Sequence, residues 1–314
     1  MERISPTTDL AFKKVLGSEE NKDILAGFIE DFFGVRPEGI VIEKPYSIAV
    51  CREYMENDEV SKLRETLKDV AASFATADFV VELQVKKTSY YEERSLYYPF
   101  SRFVQGYSRP EAMKTEPSGR PMRYSSLRPV YSMNILGYDL FEEDGDALRI
   151  FELYDPKRGK EFARRLLRIG YFELAKGNVE TANQKHWQNY FTTGEAGPCA
   201  PGYIKKASRI IEYVNLTEEE RNMISMTERL AANDEAERHY HYMQGISEGR
   251  VEGRVEGRVE GIAEGTKRGK EESEIKAREE KIGSVKSLIE MGLSDSQISK
   301  AMKIPEKEVE DLRT

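Results

Sequence analysis

Apolar and polar positions alternate over residues 79–86, where Glu82, Gln84 and Lys86 share the polar side. A period of two is that of a half-buried β-strand. A second short apolar segment, which contains Asp69, precedes it. The two segments predict a β-hairpin that carries an acidic residue on each arm.

The hairpin allows two interpretations. Two carboxylates that point to one spot repel each other unless a cation lies between them, and hard oxygen ligands suit Mg²⁺ or Mn²⁺. Asp69 and Glu82 could therefore form a metal site. An exposed strand with its charges outward would show the same alternation, so the spacing alone leaves both interpretations open.

Apolar residues recur at helical spacing elsewhere in the chain. A helix is predicted over 21–33, with Gly34 at the position of a helix stop. In the stretch 90–109 the aromatic residues favour a helix that packs in the core, and Pro99 is expected to kink or divide it. Three further helical patterns follow, at 180–191, 201–214 and 217–231.

Strand patterns lie between these helices. The apolar run 127–141 predicts a buried strand, and 148–156 is expected to be its neighbour in the sheet. The segment 39–50, which Pro45 interrupts, reads as an extended or edge strand. Strands that alternate with helices predict an α/β fold with helices packed on the faces of a sheet.

Composition limits where DNA could bind. The 314 residues are 33% charged with a formal net charge of -8, and such a field repels nucleic acid overall. Local basic patches would have to supply any contact. The stretch 157–168 has six basic residues against one acidic residue, and Lys157 and Arg158 begin it. It is either a phosphate-binding patch or a solvated helix face.

The two cysteines, Cys51 and Cys199, are too far apart in sequence to indicate a disulfide framework or a zinc site. They fit a reducing cytoplasm. No apolar run approaches the length of a membrane span, and the N-terminus lacks the apolar core of a signal peptide. We therefore expect a cytoplasmic protein without a membrane partner.

Every fourth residue from Gly245 to Gly269 is glycine, within a repeat close to EGRV. A glycine costs a helix about 1 kcal/mol, and like charges four residues apart repel each other, so a single helix should be weak here. The segment is either a disordered spacer or a helix that self-associates through its glycine stripe and offers Glu to Arg of another chain. The regular repeat favours the second, and hence a homo-oligomer.

The tail from 281 onward predicts helix, Gly292 stop, Ser294 cap and two short helices, a layout similar to a helix-turn-helix unit. Its last helix is rich in acidic residues, which favours packing or protein contact over DNA binding. The expected domains are a sheet-containing domain, a helical extension, the glycine-periodic segment and the tail. Their respective boundaries are 1–200, 201–244, 245–280 and 281–314.

Several segments in this order resemble the Rpn family of recombination-promoting nucleases, or putative transposases, in the PD-(D/E)XK nuclease superfamily. The resemblance implies a central mixed sheet flanked by helices, followed by a helical C-terminal extension, with the metal site at the hairpin. The segments that carry it are DLAFKKVLGSEENKDILAGFI, the hairpin with Asp69 and ELQ, RSLYYPFSR, PVYSMNILGYDLF, and the EGR repeats before IEMGLSDSQISKAM.

The resemblance also implies an activity: a Mg²⁺- or Mn²⁺-dependent endonuclease that cuts DNA in recombination or transposition. The metal-binding acids fall on Asp69 and Glu82. Gln84 occupies a position where the superfamily usually has Lys, and is expected to position water or phosphate. Lys86, two residues on, could supply the missing charge.

Weaker candidates for holding the DNA strand are Arg94, Lys157 and Arg158. The alternative is a nuclease-fold scaffold whose site has decayed and which assembles through its C-terminal helices. The acidic net charge and Gln84 favour this alternative.

Overall fold

The computed structural model describes most of the chain, which divides into two compact units, Met1–Glu228 and Arg229–Thr314. Each unit is treated by itself below. The described ranges are 3–57, 69–109, 127–162 and 165–313, together with the single positions Lys62, Leu67, Lys114, Gly119 and Tyr124.

A six-stranded mixed sheet forms the centre of the first unit. Its strands are β1 (Val41–Glu43), β2 (Asp69–Ser73), β3 (Asp78–Gln84), β4 (Val130–Leu136), β5 (Leu148–Glu152) and β8 (Leu167–Glu173); β6 (Tyr154–Asp155) and β7 (Lys160–Glu161) form a separate ribbon. The order in the sheet is β1-β2-β3-β4-β8-β5. Strands β1, β2 and β3 are antiparallel to one another, β3, β4 and β8 are parallel, and β5 is antiparallel to β8.

Helices flank this sheet, as the α/β prediction required. Those of the first unit are α1 (Asp9–Leu16), α2 (Lys22–Phe33), α3 (Ile48–Glu56), α4 (Tyr91–Gln105), α5 (Ala182–Thr193) and α6 (Gly202–Ile210). Helix α7 (Glu218–Glu290) begins in the first unit after a capping box, in which Thr217 and Glu220 exchange hydrogen bonds. Helices α8 (Asp295–Met302) and α9 (Glu306–Arg313) end the chain.

The main core lies on one face of the sheet. Phe28 of α2 is fully buried there, with its ring centroid 4.6 to 6.3 Å from those of Phe32, Phe79, Trp187 and Phe191. Ring pairs at such distances stabilise a core beyond the area they bury. The aromatic residues thus join α2, α5 and β3 into one packed layer.

Helix α4 covers the opposite face with a smaller core that contains hydrogen-bonded polar side chains. The Tyr91 hydroxyl donates to Asn134 Oδ1 at 3.0 Å, and Asn134 Nδ2 donates to the Gly170 carbonyl at 3.1 Å. Ser95 and Tyr171 share a hydrogen bond between their hydroxyls at 2.6 Å. These bonds satisfy polar groups that burial would otherwise destabilise.

Because α4 covers that face, the expectation of a half-buried strand is wrong for β3. Residues 78–83 are all buried, and the strand ends at Gln84, two residues before Lys86. The alternation of residue types is real, but its polar side faces α4 and not open solvent.

The expectations for α4 were also partly wrong. Pro99 lies inside a continuous helix and is buried, so it does not divide it. The aromatic side chains do not all pack in the core: Tyr97 is 67% exposed and Phe100 is 45% exposed. Aromatic content alone does not tell which side of a helix faces the sheet.

The elements missed from the sequence include α3, β7 and β8. Strand β8 lies between β4 and β5, so the predicted β4–β5 pairing is wrong. Gly170 interrupts its apolar pattern, and a Cβ there would lie 2.7 Å from Met133 Cε. The end of the Met133 side chain lies over Gly170, so a side chain at position 170 would have to displace it.

In the second unit, every regular element of the described residues 229–313 is a helix. Val285, Ile298, Ile304 and Val309 form the small buried cluster that joins the end of α7 to α8 and α9. Gly292 has a φ of +83°, and Ser294 forms a capping box with Gln297, so the predicted stop and cap are present. The glycine-periodic segment lies within α7. Across the described residues, no helix has the length and apolarity needed to cross a bilayer.

Phe28→Ala should lower the free energy of unfolding by about 3–5 kcal/mol, because it leaves a cavity among four aromatic neighbours. Chemical denaturation measures this change. Phe162→Ala is the control, since Phe162 is 68% exposed. Equal stability of the two variants would contradict a core centred on Phe28.

Tyr91→Phe should cost about 1–3 kcal/mol of stability, because Asn134 Oδ1 would lose its donor in a buried site. Tyr97→Phe, on the same helix, removes an exposed hydroxyl and should leave stability unchanged. Denaturation of both variants under one set of conditions measures the difference. A neutral Tyr91→Phe would mean that water replaces the lost hydroxyl.

Candidate active site

Asp69 and Glu82 lie directly opposite each other in the β2–β3 ladder. Residues that face each other in an antiparallel pair project from the same side of the sheet, with Cβ atoms about 4.5–5.5 Å apart. Glu82 is 8% exposed and Asp69 is half-buried. The two acidic residues that the sequence singled out are therefore neighbours on the face that α4 covers.

The turn of the hairpin determines this pairing. The ladder closes at Ser73 and Asp78, and the Phe74 N–H donates to the Ala77 carbonyl at 2.9 Å. The loop therefore has four residues, and neither Ala75 nor Thr76 has a positive φ. A four-residue loop of this kind needs neither Gly nor Asn, which explains their absence.

Arg94 of α4 contacts the C-terminal end of β3. Its Nη2 atom donates to Glu82 Oε1 at 3.2 Å and also to Gln84 Oε1. The Gln84 amide nitrogen donates to the Lys86 carbonyl at 2.6 Å. Gln84 thus orients an arginine that neutralises Glu82. Lys86 is exposed and follows the end of the strand, so the strand register does not fix its side chain on the face of Glu82, and its role stays a prediction.

Lys13 of α1 is a second cation at the site, and it was missed from the sequence. It is 2% exposed, and its Nζ donates to the Asp69 carbonyl oxygen at 2.7 Å. Burial lowers the pKa of Lys13, while the nearby Asp69 charge opposes that change. A lysine within the apolar stretch of α1 was the available signal.

A cleft of about 210 Å³ opens beside Asp69, between the sheet edge and α4. At about 30 Å³ per water molecule it has room for several waters or a phosphate group. Lys13, Lys44 and Arg102 bring positive charge to its walls, whereas Glu43 and Asp69 bring negative charge. Charged groups of both signs therefore line a space beside Asp69, the only member of the acidic pair among the lining residues.

Asp78, at the other end of β3, was also missed, and it belongs to a different cluster. It is 1% exposed and hydrogen-bonded to Arg109, with Arg102 at 3.7 Å and Arg128 at 3.8 Å. Burial alone would lower the pKa of Arg102, but its hydrogen bond to Glu43 and the nearby Asp78 charge outweigh burial and raise that pKa. At about 3.3 Å per residue, Asp78 lies roughly 13 Å along the strand from Glu82. It holds the start of β3 and does not join the acidic pair.

In the structure, nearby carboxylates neutralise part of the positive charge of the stretch 157–168. Lys157 and Arg158 occupy the turn between β6 and β7, and Arg158 pairs with Asp155 at 2.7 Å. Arg165 pairs with Glu161, and Arg168 pairs with Glu152 at 2.6 Å. The alternative of a helix face is wrong, because strands occupy 160–161 and 167–173; residues 163–164 lie outside the described ranges.

The donor set can be compared with what a divalent ion needs. Within the described ranges, no group of three His, Cys, Asp or Glu side chains is placed to hold a metal. Mg²⁺ keeps several waters and is often bound through one or two carboxylates plus substrate phosphates. Asp69 and Glu82 fit that pattern, and the cleft beside Asp69 has room for water or phosphate.

Comparison with known proteins identifies the family. A search of curated proteins and a search of solved structures each gave no match. A family model described as PD-(D/E)XK nuclease family transposase matches residues 6–240, which include the whole sheet and the hairpin. That match covers well over half of the chain, so the protein belongs to the PD-(D/E)XK nuclease family of transposases.

Proposed function

We propose that this protein is a Mg²⁺- or Mn²⁺-dependent DNA endonuclease that acts in recombination or transposition. One observation carries the proposal: Asp69 and Glu82 are direct partners in the β2–β3 ladder of a nuclease-family fold. The family match supports DNA as the substrate. The net charge of -8 does not attract DNA in general, so local basic groups would have to make the contacts.

Asp69 and Glu82 would hold the ion. A divalent ion bound there would lower the pKa of a water molecule that it binds and would neutralise charge on the phosphodiester. The protein adds two fixed cations beside the carboxylates. Arg94 lies at Glu82 and Gln84, and Lys13 lies at the Asp69 backbone.

Arg94 and Lys13 would supply the positive charge that Gln84 lacks, at a position where the superfamily usually has Lys. Gln84 accepts a hydrogen bond from Arg94, so it would orient a guanidinium toward the phosphate rather than supply charge itself. Lys13 would stabilise negative charge on the Asp69 side of the cleft. Groups that are already in place before charge develops cost no reorganisation during the reaction.

A catalytically decayed scaffold is the second candidate. Its support is that Arg94 already neutralises Glu82 and that no third acidic ligand joins the pair among the described residues. In that case Glu82 and Arg94 would only form an ion pair that holds α4 against β3. The two candidates differ in what removal of one carboxylate does to activity.

Asp69→Asn and Glu82→Gln should each lower metal-dependent plasmid nicking at least about 100-fold, because each removes a charge that would hold the ion. The measurement is nicking with Mg²⁺ or Mn²⁺, with a chelator as the blank. Glu30→Gln, which changes an exposed carboxylate of α2 paired with Arg36, is the matched control. The same rate in all four proteins would reject the proposed site and favour the scaffold.

Lys13→Met should lower the nicking rate about 10- to 100-fold at saturating metal while the protein stays folded, because it removes charge but keeps side-chain length. Calorimetric titration with Mn²⁺ separates loss of metal from loss of rate. Lys22→Met, a half-exposed lysine of α2 paired with Glu19, is the control. An unchanged rate would make Lys13 a structural residue only.

A further inference from the structure

Helix α7 carries a row of exposed apolar side chains inside the glycine-periodic segment. Val251, Val255, Val259 and Ile262 are each 58–62% exposed. At about 100° per residue, spacings of four, four and three place all four within about 80° of one another. We call this row the valine seam.

Charged residues flank the valine seam with opposite signs. Arg254 and Arg258 project along one side of it, and Glu252 and Glu256 along the other. The glycines, such as Gly253 and Gly257, lie on the opposite side of the helix. The seam therefore has an apolar centre, a positive border and a negative border.

As a single helix this segment is weak. Seven glycines between 245 and 269 cost about 1 kcal/mol each, and the stacked like charges add repulsion. The helix nevertheless continues through the whole stretch. Apolar burial against a partner is what stabilises helices with poor intrinsic propensity.

We propose that two copies of this chain pair in parallel through the valine seam. A second copy fits because the valine seam has both a positive and a negative border, so the same surface on two chains can be complementary. When two identical helices face each other in parallel, the arginine border of one meets the glutamate border of the other. In the antiparallel arrangement arginine would meet arginine, and glutamate would meet glutamate, which opposes pairing.

The valine side is favoured over the glycine side by the driving force. Association in water depends on apolar area removed from solvent, and four exposed β-branched side chains offer such area. The glycine side offers almost none. β-Branched residues at a helix seam also favour two-stranded pairing.

The pairing has a consequence for function, which rests on the proposed nuclease activity. In a parallel pair, the N-terminal ends of the two α7 helices lie together. The chain enters each helix from its nuclease unit at that end. Two Asp69–Glu82 sites would thus be tethered in one particle, one for each strand of a duplex.

Disulfide cross-linking tests the pairing and its direction. The full chain with Cys51→Ala and Cys199→Ser receives one new cysteine at a time, at each of the four seam positions in turn. A parallel, in-register pair predicts that each of the four forms a dimer under mild oxidation. Gly253→Cys and Gly257→Cys, on the opposite side of the helix, are matched controls and should stay monomeric on a denaturing gel.

Three results would overturn the parallel pairing. Cross-links at a single seam position indicate an antiparallel pair, and cross-links through the glycine positions indicate the other face. A protein that is monomeric by light scattering and forms no cross-links has no such interface. Dimerisation without nicking would reject the nuclease function alone, and nicking without dimerisation would reject the pairing alone.

Charge reversal gives an independent test. Arg254→Glu with Arg258→Glu should weaken self-association at least about tenfold in Kd, measured by sedimentation, because glutamate would then meet glutamate across the seam. Adding Glu252→Arg and Glu256→Arg should restore it. A fourfold variant that stays as weak as the double variant would show that the borders do not meet.

Discussion

The register of the β2–β3 hairpin is the constraint on which the rest of the site depends. Because side chains alternate across a strand, a slip of one residue would move either Asp69 or Glu82 to the opposite face of the sheet. The four-residue loop at 74–77 and the closing pair Ser73–Asp78 prevent such a slip. Asp78 adds to this, since its arginine partners hold the first residue of β3. The ion-pair cluster at one end of β3 thus helps to position the acidic pair at the other.

Burial destabilises the charged forms of the acidic pair unless nearby cations compensate them. Glu82 lies under α4 and not in open solvent, so its charge needs compensation, and Arg94 supplies it. Lys13 brings a buried ammonium to the Asp69 side. Lys13 belongs to α1, which precedes the hairpin in sequence, and Arg94 belongs to α4, which follows it. The packing of these helices, and not one sequence motif, therefore forms the site. A metal and a phosphate would enter an environment whose charges are already balanced.

The second unit follows different physics. Its terminal helices have a small core around Ile298 and Val309, whereas the glycine-periodic part of α7 buries almost nothing within the chain. In the proposed pair, a second copy would supply the apolar contacts that this part of the helix lacks. The arrangement of Val, Arg and Glu around it would provide both the apolar surface and the signs of charge that select a parallel copy. The proposed catalysis and the proposed assembly would thus be carried by separate parts of the chain, each with its own sequence pattern.

Local patterns in the sequence determined much of this protein. The spacing of Asp69, Glu82 and the alternating strand predicted the hairpin, and the cap at Ser294 predicted a helix start, since these features depend on residues close in the chain. The α/β class and the family followed from the order of such segments. Only the tertiary structure decided that β8 lies between β4 and β5, that Lys13 reaches the Asp69 carbonyl, and that Arg94 holds Gln84. Those contacts join residues whose neighbourhood is set by the packing of whole elements, and no local period encodes which distant element will cover a given face.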